Sequence, residues 1–224
     1  NKNLTLKKLN HIDTIIEPLK DFFERFGLKM AAILLLIIAS YRLTDIVMGP
    51  MANPFYIDMG YTLSEIGYIV KVVALISTII GVFVGGILIK KFGLYKSLLI
   101  GAFLVMITNL LFSYTAITDK NLTLLASIVA SDSLAAGIVG TVNITFLTSL
   151  VSQKYTGFQY ALLTSVMTFT GTIFKGFSGV IVESFQAFYG FNYGWMSFYI
   201  FTSCLALPAI LLIISKKGFF VNSD

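Results

Sequence analysis

Apolar runs of twenty or more residues recur along this chain with only short polar breaks between them, and no other feature limits its fold as much. A helix needs about 20 predominantly apolar residues to cross a hydrocarbon core of about 30 Å. Runs of that kind lie at about 28–56, 64–90, 96–117, 121–151, 158–186 and 194–215. Several exceed the minimum, which fits tilt or extension beyond the bilayer rather than extra crossings. Composition agrees. Only 12% of the 224 residues are charged, about half the share a water-soluble domain carries on its surface. With 20 Phe and 11 Tyr there is no polar coat for a soluble globule and no basis for disorder. The single cysteine, Cys204, cannot pair within the chain, so a disulfide scaffold is excluded. The expectation is an all-α membrane protein with six transmembrane helices.

Basic residues set the expected orientation, because cytoplasmic loops collect Lys and Arg. Lys2, Lys7, Lys8, Lys20, Arg25 and Lys29 come before or at the start of the first run. Lys90, Lys91 and Lys96 lie between the second and third, Lys154 between the fourth and fifth, and Lys216 and Lys217 follow the sixth. These twelve fall on one side, whereas the opposite side has only Lys120. Both ends are therefore expected in the cytoplasm. The same scatter at the ends of apolar runs argues against nucleic acid as the partner of the +5 charge. The chain starts at Asn1 with no signal-like segment before Leu28, so it reads as a fragment, a processed product or an excerpt of a longer polypeptide.

Before the first run, Ile12, Ile15, Ile16, Leu19, Phe22, Phe23 and Phe26 recur at three and four, the spacing of an amphipathic helix. Pro18 suits a first helical turn, Asp21 and Arg25 form an i,i+4 pair, and Gly27 is a plausible stop. The chain thus divides into a cytoplasmic linker with its amphipathic helix (1–27), a six-helix transmembrane bundle (28–215) and a cytoplasmic tail (216–224). Either the helix joins the bundle to something before it, or it is an anchor with no partner. Pro50 and Pro54, late in the first run, should kink or unwind its end.

Ionisable groups inside the runs carry the functional signal, since each is costly at membrane depth and marks a cavity or a partner. Arg42 and Asp45 stand three apart and share a helical face. Lys71 lies in the second run, Asp132 and Asn143 in the fourth, and Lys175 in the fifth with Glu183 near its outer end. Asp45, Lys71, Asp132 and Lys175 each fall about 10–16 Å from the outer end of their helices at 1.5 Å per residue, which suggests one shared polar layer. The candidates for proton coupling are Asp45 and Asp132. Arg42, Lys71, Asn143 and Lys175 are the candidate substrate contacts. Structural ion pairs, such as Asp45 with Lys71, would place the same charges without any transport. Gly81, Gly85 and Gly86, Gly137 and Gly140, and Gly171, Gly176 and Gly179 read as close-packing positions between helices. The only histidine is His11, and there is no phosphate loop, metal-ligand cluster or Cys–His pair, so neither an enzyme nor a bound cofactor is expected. Serines and threonines within the runs are expected to bond their own helix backbone.

Gly86-Ile87-Leu88-Ile89-Lys90-Lys91-Phe92-Gly93-Leu94-Tyr95-Lys96 resembles the loop signature of the major facilitator superfamily, with Gly86, Lys90, Lys91 and Gly93 as the gating turn. Lys90 stands where that signature has an acidic residue, so its charge relay is absent. The resemblance narrows at Asp21–Gly27, at Tyr41-Arg42-Leu43-Thr44-Asp45, and from Met51 through Gly67 to Lys71. It continues at Gln159-Tyr160-Ala161-Leu162-Leu163-Thr164-Ser165 and Gly194-Trp195. Together these runs resemble the C-terminal six-helix half of the AmpG-like muropeptide permease family, which is related to acetyl-coenzyme A transporters. The resemblance implies one half of a twelve-helix permease in a bacterial inner membrane, importing anhydro-muramyl peptides with protons for cell-wall recycling. It also implies the lipid bilayer, a small-molecule substrate, protons and an N-terminal six-helix half as partners. The alternatives are transport of another organic anion such as an acyl-coenzyme A, a non-transporting membrane scaffold, or a remnant of a split gene.

Overall fold

The computed structural model describes residues 11–221, and side chains from Ile15 onward. Lys2, Lys7 and Lys8, the start of the amphipathic pattern and the last three residues of the tail lie outside the described residues. Every described element is helical. In chain order these are α1 (His11–Tyr41), α2 (Leu43–Asp58), α3 (Leu63–Tyr68), a π-helical turn at Ile69–Ala74, α4 (Leu75–Thr115) and α5 (Leu122–Leu150). Then follow α6 (Thr156–Gly176), α7 (Ser178–Tyr189), α8 (Phe191–Cys204), α9 (Leu207–Ser215) and α10 (Lys217–Val221).

Among the described residues, five continuous helical stretches are long and apolar enough to cross a membrane: Ile15–Asp58, Leu63–Thr115, Leu122–Leu150, Thr156–Tyr189 and Phe191–Ser215. The sequence led us to expect six runs, and the difference lies in the 53-residue stretch Leu63–Thr115. At 1.5 Å per residue that helix would be about 80 Å long if straight. It is not straight. Gly93 has φ 75° and ψ 170°, a conformation open in practice only to glycine, and the contacts on either side of it run in opposite directions. Gly81 lies against Leu134 and Gly137, and Gly85 against Ile138 and Thr141, so residues 75–92 run parallel to α5. Past Gly93 the order reverses, with Gly101 against Val139 and Thr108 bonded to Asp132. The stretch is a hairpin of two helices, both packed along α5.

Breaks elsewhere differ from the sequence expectation. Gly27 (φ 71°) interrupts α1 where a stop was expected, but Pro18 sits inside the helix instead of in its first turn. Its ring is buried and its carbonyl accepts a hydrogen bond from Gln159 Nε2. Pro50 and Pro54 do not unwind α2, which stays helical to Asp58. Ser178 Oγ of the neighbouring α7 donates to the Val47 carbonyl, in the turn before Pro50, at 2.8 Å. The discontinuity falls earlier, at Arg42 (φ −107°, ψ 9°).

Of the glycines read as packing positions, only some are used that way. A side chain on Gly81, Gly85, Gly137 or Gly171 would collide with the facing helix, whereas Gly86, Gly140, Gly176 and Gly179 face open space.

The amphipathic segment of α1 is docked rather than free. Phe22 is 2% exposed and meets Phe23 and Phe26 edge to face, and Phe26 touches Phe219 near the other end of the chain. Gln159, 1% exposed at the start of α6, makes four bonds there. It accepts from Arg25 and from the Ser152 N–H, and donates to the Pro18 carbonyl and Asp21. Arg25 also donates to the Leu150 carbonyl at 3.0 Å. At the opposite end, Trp195 Nε1 donates to Asp58, and Lys120 pairs with Glu65, which completes a capping box with Thr62.

Candidate functional site: a polar layer across the bundle

Buried apolar side chains fall into two clusters. One gathers Phe22, Leu34, Ile38, Leu98, Val142 and Phe146 toward the Gly93 end. The other gathers Phe55, Phe112, Trp195, Phe198 and Tyr199 toward the Asp58 end. Four of the chain segments that join one cluster to the other do so in short steps across polar residues. Between Tyr41 and Met48 lie Arg42, Thr44 and Asp45. Between Val105 and Phe112 lie Thr108 and Asn109, between Val129 and Ala135 lies Asp132, and between Tyr199 and Ala206 lie Thr202 and Ser203. A polar sheet therefore divides the core of the bundle.

The sheet is cross-linked between helices. Thr108 Oγ1 donates to Asp132 Oδ1 at 3.0 Å, joining α4 to α5. Thr202 Oγ1 donates to Asn109 Oδ1 at 2.7 Å, and Ser203 Oγ to the Met106 carbonyl at 3.0 Å, joining α8 to α4. Arg42 and Asp45 form an ion pair at 3.5 Å, both mostly buried. Asp132 holds the corresponding place on α5, between the two clusters and bonded to Thr108, and the Tyr199 ring bounds the layer on the Asp58 side. Asp45 Oδ2 has only the 3.5 Å ion pair, and Arg42 Nε, Thr44 Oγ1 and the Tyr199 hydroxyl are buried there without a hydrogen bond. Each is costly to leave unmade, by about 1–3 kcal/mol. One cation against two carboxylates also leaves an excess negative charge, so binding one proton would make the group neutral.

Of the six substrate and proton candidates, the fold pairs Arg42 with Asp45 and sets Asp132 in the same polar layer. Asn143 is buried about three turns along α5 from Asp132, with Nδ2 3.4 Å from Met167 Sδ and Oδ1 unbonded. Lys71, in the π-helical turn, and Lys175, at the end of α6, are both exposed. Asp45 pairs with Arg42 and not with Lys71. The reason is local: Arg42 is on the same helical face three residues away, whereas the π-turn directs Ile69 inward and leaves Lys71 outside. Lys90 and Lys91 of the expected gating turn are exposed beside Gly93, Lys91 lying 5.2 Å over the Phe92 ring. Thr108 and Thr202 reach their own helix carbonyls as expected, but the sequence reading did not single them out, or Asn109 and Ser203, as links to other helices. The same backbone bond forms at Ser40, Thr78 and Thr164. The one available signal was Thr108-Asn109 and Thr202-Ser203 as adjacent polar pairs inside apolar runs.

No family model matches the chain. Over 218 residues it is 33% identical to a Rickettsia conorii protein named as transporter AmpG 4, covering 95% of this chain and 50% of that protein. The corresponding Rickettsia felis protein is 34% identical over 224 residues, 96% of this chain and 51% of that one. The anhydromuropeptide permease of Escherichia coli K12 is 30% identical over 202 residues, 89% of this chain and 39% of the permease. The chain thus spans about half the length of the curated relatives it matches, and its resemblance to the AmpG-like permeases extends over nearly all of it. These relatives are named as transporters and permeases, not enzymes.

Proposed function

We propose that this multi-pass membrane chain forms one half of a proton-coupled importer of anhydro-muropeptides, in a bacterial inner membrane with both termini cytoplasmic. The hairpin at Gly93 supports counting residues 63–92 and 94–115 as separate crossings, which makes six. A six-crossing body is half of a major-facilitator-type permease, a fold built from paired repeats with its site near the bilayer midplane. The other half is an N-terminal six-helix body, covalent or separate. The domain division is the linker to residue 27, the bundle to 215 and the tail beyond.

The observation that carries this reading is the Arg42–Asp45 ion pair in the same polar layer as Asp132, between the two apolar clusters of the bundle. Charges at such depth mark ion and substrate pathways by default. In this reading Asp45 and Asp132 hold the coupling proton, and Arg42 attracts an anionic part of the cargo. Asn143, Lys71 and Lys175 are further contacts on the same route, and the Gly86–Gly93 turn with Lys90 and Lys91 gates the cytoplasmic end. The relative named an anhydromuropeptide permease supports this cargo over an acyl-coenzyme A.

Uptake of labelled anhydro-muropeptide into vesicles tests the proposal, using the whole protein and an imposed proton gradient. Accumulation that collapses with the gradient is the expected result. Equal accumulation without a gradient would remove proton coupling, and no accumulation would remove the cargo.

A further inference from the structure

The outward faces of two helices differ in a way that lipid alone does not explain. Residues 75–87 of α4 expose Ile76, Ile79, Ile80, Phe83 and Ile87, a purely apolar surface suited to acyl chains. α6 packs inward through Leu163 and Gly171, the latter against Ile46 of α2. Its opposite face exposes Ser165, Thr168, Phe169, Thr172 and Lys175, a stripe at three- and four-residue spacing. Phe169 is 69% exposed and lies about 20 Å along the stretch that starts at Thr156, deep within the apolar region. Hydroxyls and a lysine are poor neighbours for hydrocarbon at that depth.

The chemistry of the stripe is specific. Ser165 Oγ donates to the Ala161 carbonyl and Thr168 Oγ1 to the Thr164 carbonyl. Their donors are spent on the helix, so their oxygens face outward as acceptors. Acceptors suit a ligand rich in O–H and amide N–H donors. Phe169 adds a flat apolar platform for a sugar ring, and Lys175 adds a cation at one end of the stripe for a carboxylate. Donor-rich rings bearing N-acetyl groups and a carboxylate are what an acidic amino-sugar presents.

We infer that this face of α6 is the saccharide-contacting wall of the transport site, with Phe169 stacking on a sugar ring, Ser165, Thr168 and Thr172 accepting from its hydroxyl and amide groups, and Lys175 meeting its carboxylate. The inference rests on the transport reading above and adds the surface that recognises the cargo.

Single cysteines placed by Ser165→Cys and, separately, Thr172→Cys in the whole protein with Cys204→Ser test it, with Ile79→Cys as the lipid-facing control. An impermeant thiol reagent is applied with and without N-acetylglucosaminyl-anhydro-N-acetylmuramic acid. The α6 cysteines should react and the control should not. With the disaccharide at about ten times its Kd, mass action leaves roughly one site in ten free, so labelling slows about tenfold; sucrose should not slow it. Unreactive α6 cysteines would overturn the inference, because the face would then be covered by lipid or protein. Reaction that the disaccharide does not slow, in vesicles that import it, would overturn the saccharide contact and leave the transport reading standing. Vesicles of the unaltered protein that fail to import the disaccharide would overturn both.

Discussion

At the scale of single residues, the polar layer and the glycine seam give opposite tests of what a membrane helix tolerates. Asp45 carries an ion pair with Arg42 and shares the polar layer with Asp132. If it binds the coupling proton, Asp45→Asn abolishes gradient-driven accumulation while the protein remains inserted and folded. If the pair is only structural, Asp45→Asn leaves Arg42 buried and unpaired, which costs about 3–5 kcal/mol when a pair is fully buried and less here. In that case Arg42→Gln together with Asp45→Asn should recover both stability and uptake. Thermal unfolding in detergent and vesicle uptake, measured on the same variants, separate the two. The glycines give a sharper contrast. Gly137→Val should destabilise by about 1–3 kcal/mol or more through overpacking, because its side chain would enter the backbone of residues 78–82. Gly140→Ala, three residues on and facing open space, should be neutral or stabilising by up to about 1 kcal/mol.

At the scale of elements, the amphipathic segment of α1 is held by Gln159 as much as by its apolar face. Asp21 and Arg25 form the expected i,i+4 pair at 2.9 Å, yet both also bond Gln159. Asp21 is therefore half-buried instead of fully wet, and Phe23 is only half-buried where Phe22 is enclosed. Gln159→Leu removes four hydrogen bonds and leaves the Ser152 N–H and the Pro18 carbonyl without their partner. The expected outcome is release of residues 15–26, seen as new cleavage there by a soluble protease, with the membrane-spanning helices intact. Unchanged protection would mean that Phe22 and Phe26 suffice to hold the segment. The π-turn at Ile69–Ala74 is the second element to watch. π-turns inside α-helices often mark functional sites, and this one is what separates Lys71 from Asp45.

Across the whole molecule, the two ends of the bundle are chemically distinct. Lys90 and Lys91 lie by Gly93 at one end, where the α1 segment docks on the α5–α6 connection through Arg25 and Gln159. Lys120, Glu65, Asp58 and Trp195 are grouped at the other. In the topology proposed above, cysteines replacing Lys90 and Lys154 react with an impermeant reagent only from the cytoplasmic side. A cysteine replacing Lys120 reacts only from outside. Labelling of positions 90 and 154 from outside would invert the orientation. Labelling of 90 and 120 from the same side would remove the fold-back at Gly93 as a membrane-crossing pair.

The sequence alone determined the all-helical membrane class, because apolar length and the scarcity of charge are properties of composition and order that need no contacts. It also placed Arg42 and Asp45 on one face, since three-residue spacing fixes that within a single helix. It did not determine which glycines touch: Gly137 and Gly140 look alike until a neighbouring backbone lies against one of them. Nor could it pair Asp45 with Arg42 over Lys71, because one π-turn rotates a whole helical face and leaves no mark in the spacing. The cross-links Thr108–Asp132 and Thr202–Asn109 belong to the tertiary structure for the same reason. Thr108 and Thr202 each stay within reach of a carbonyl of their own helix, and only packing brings the second partner within the same distance.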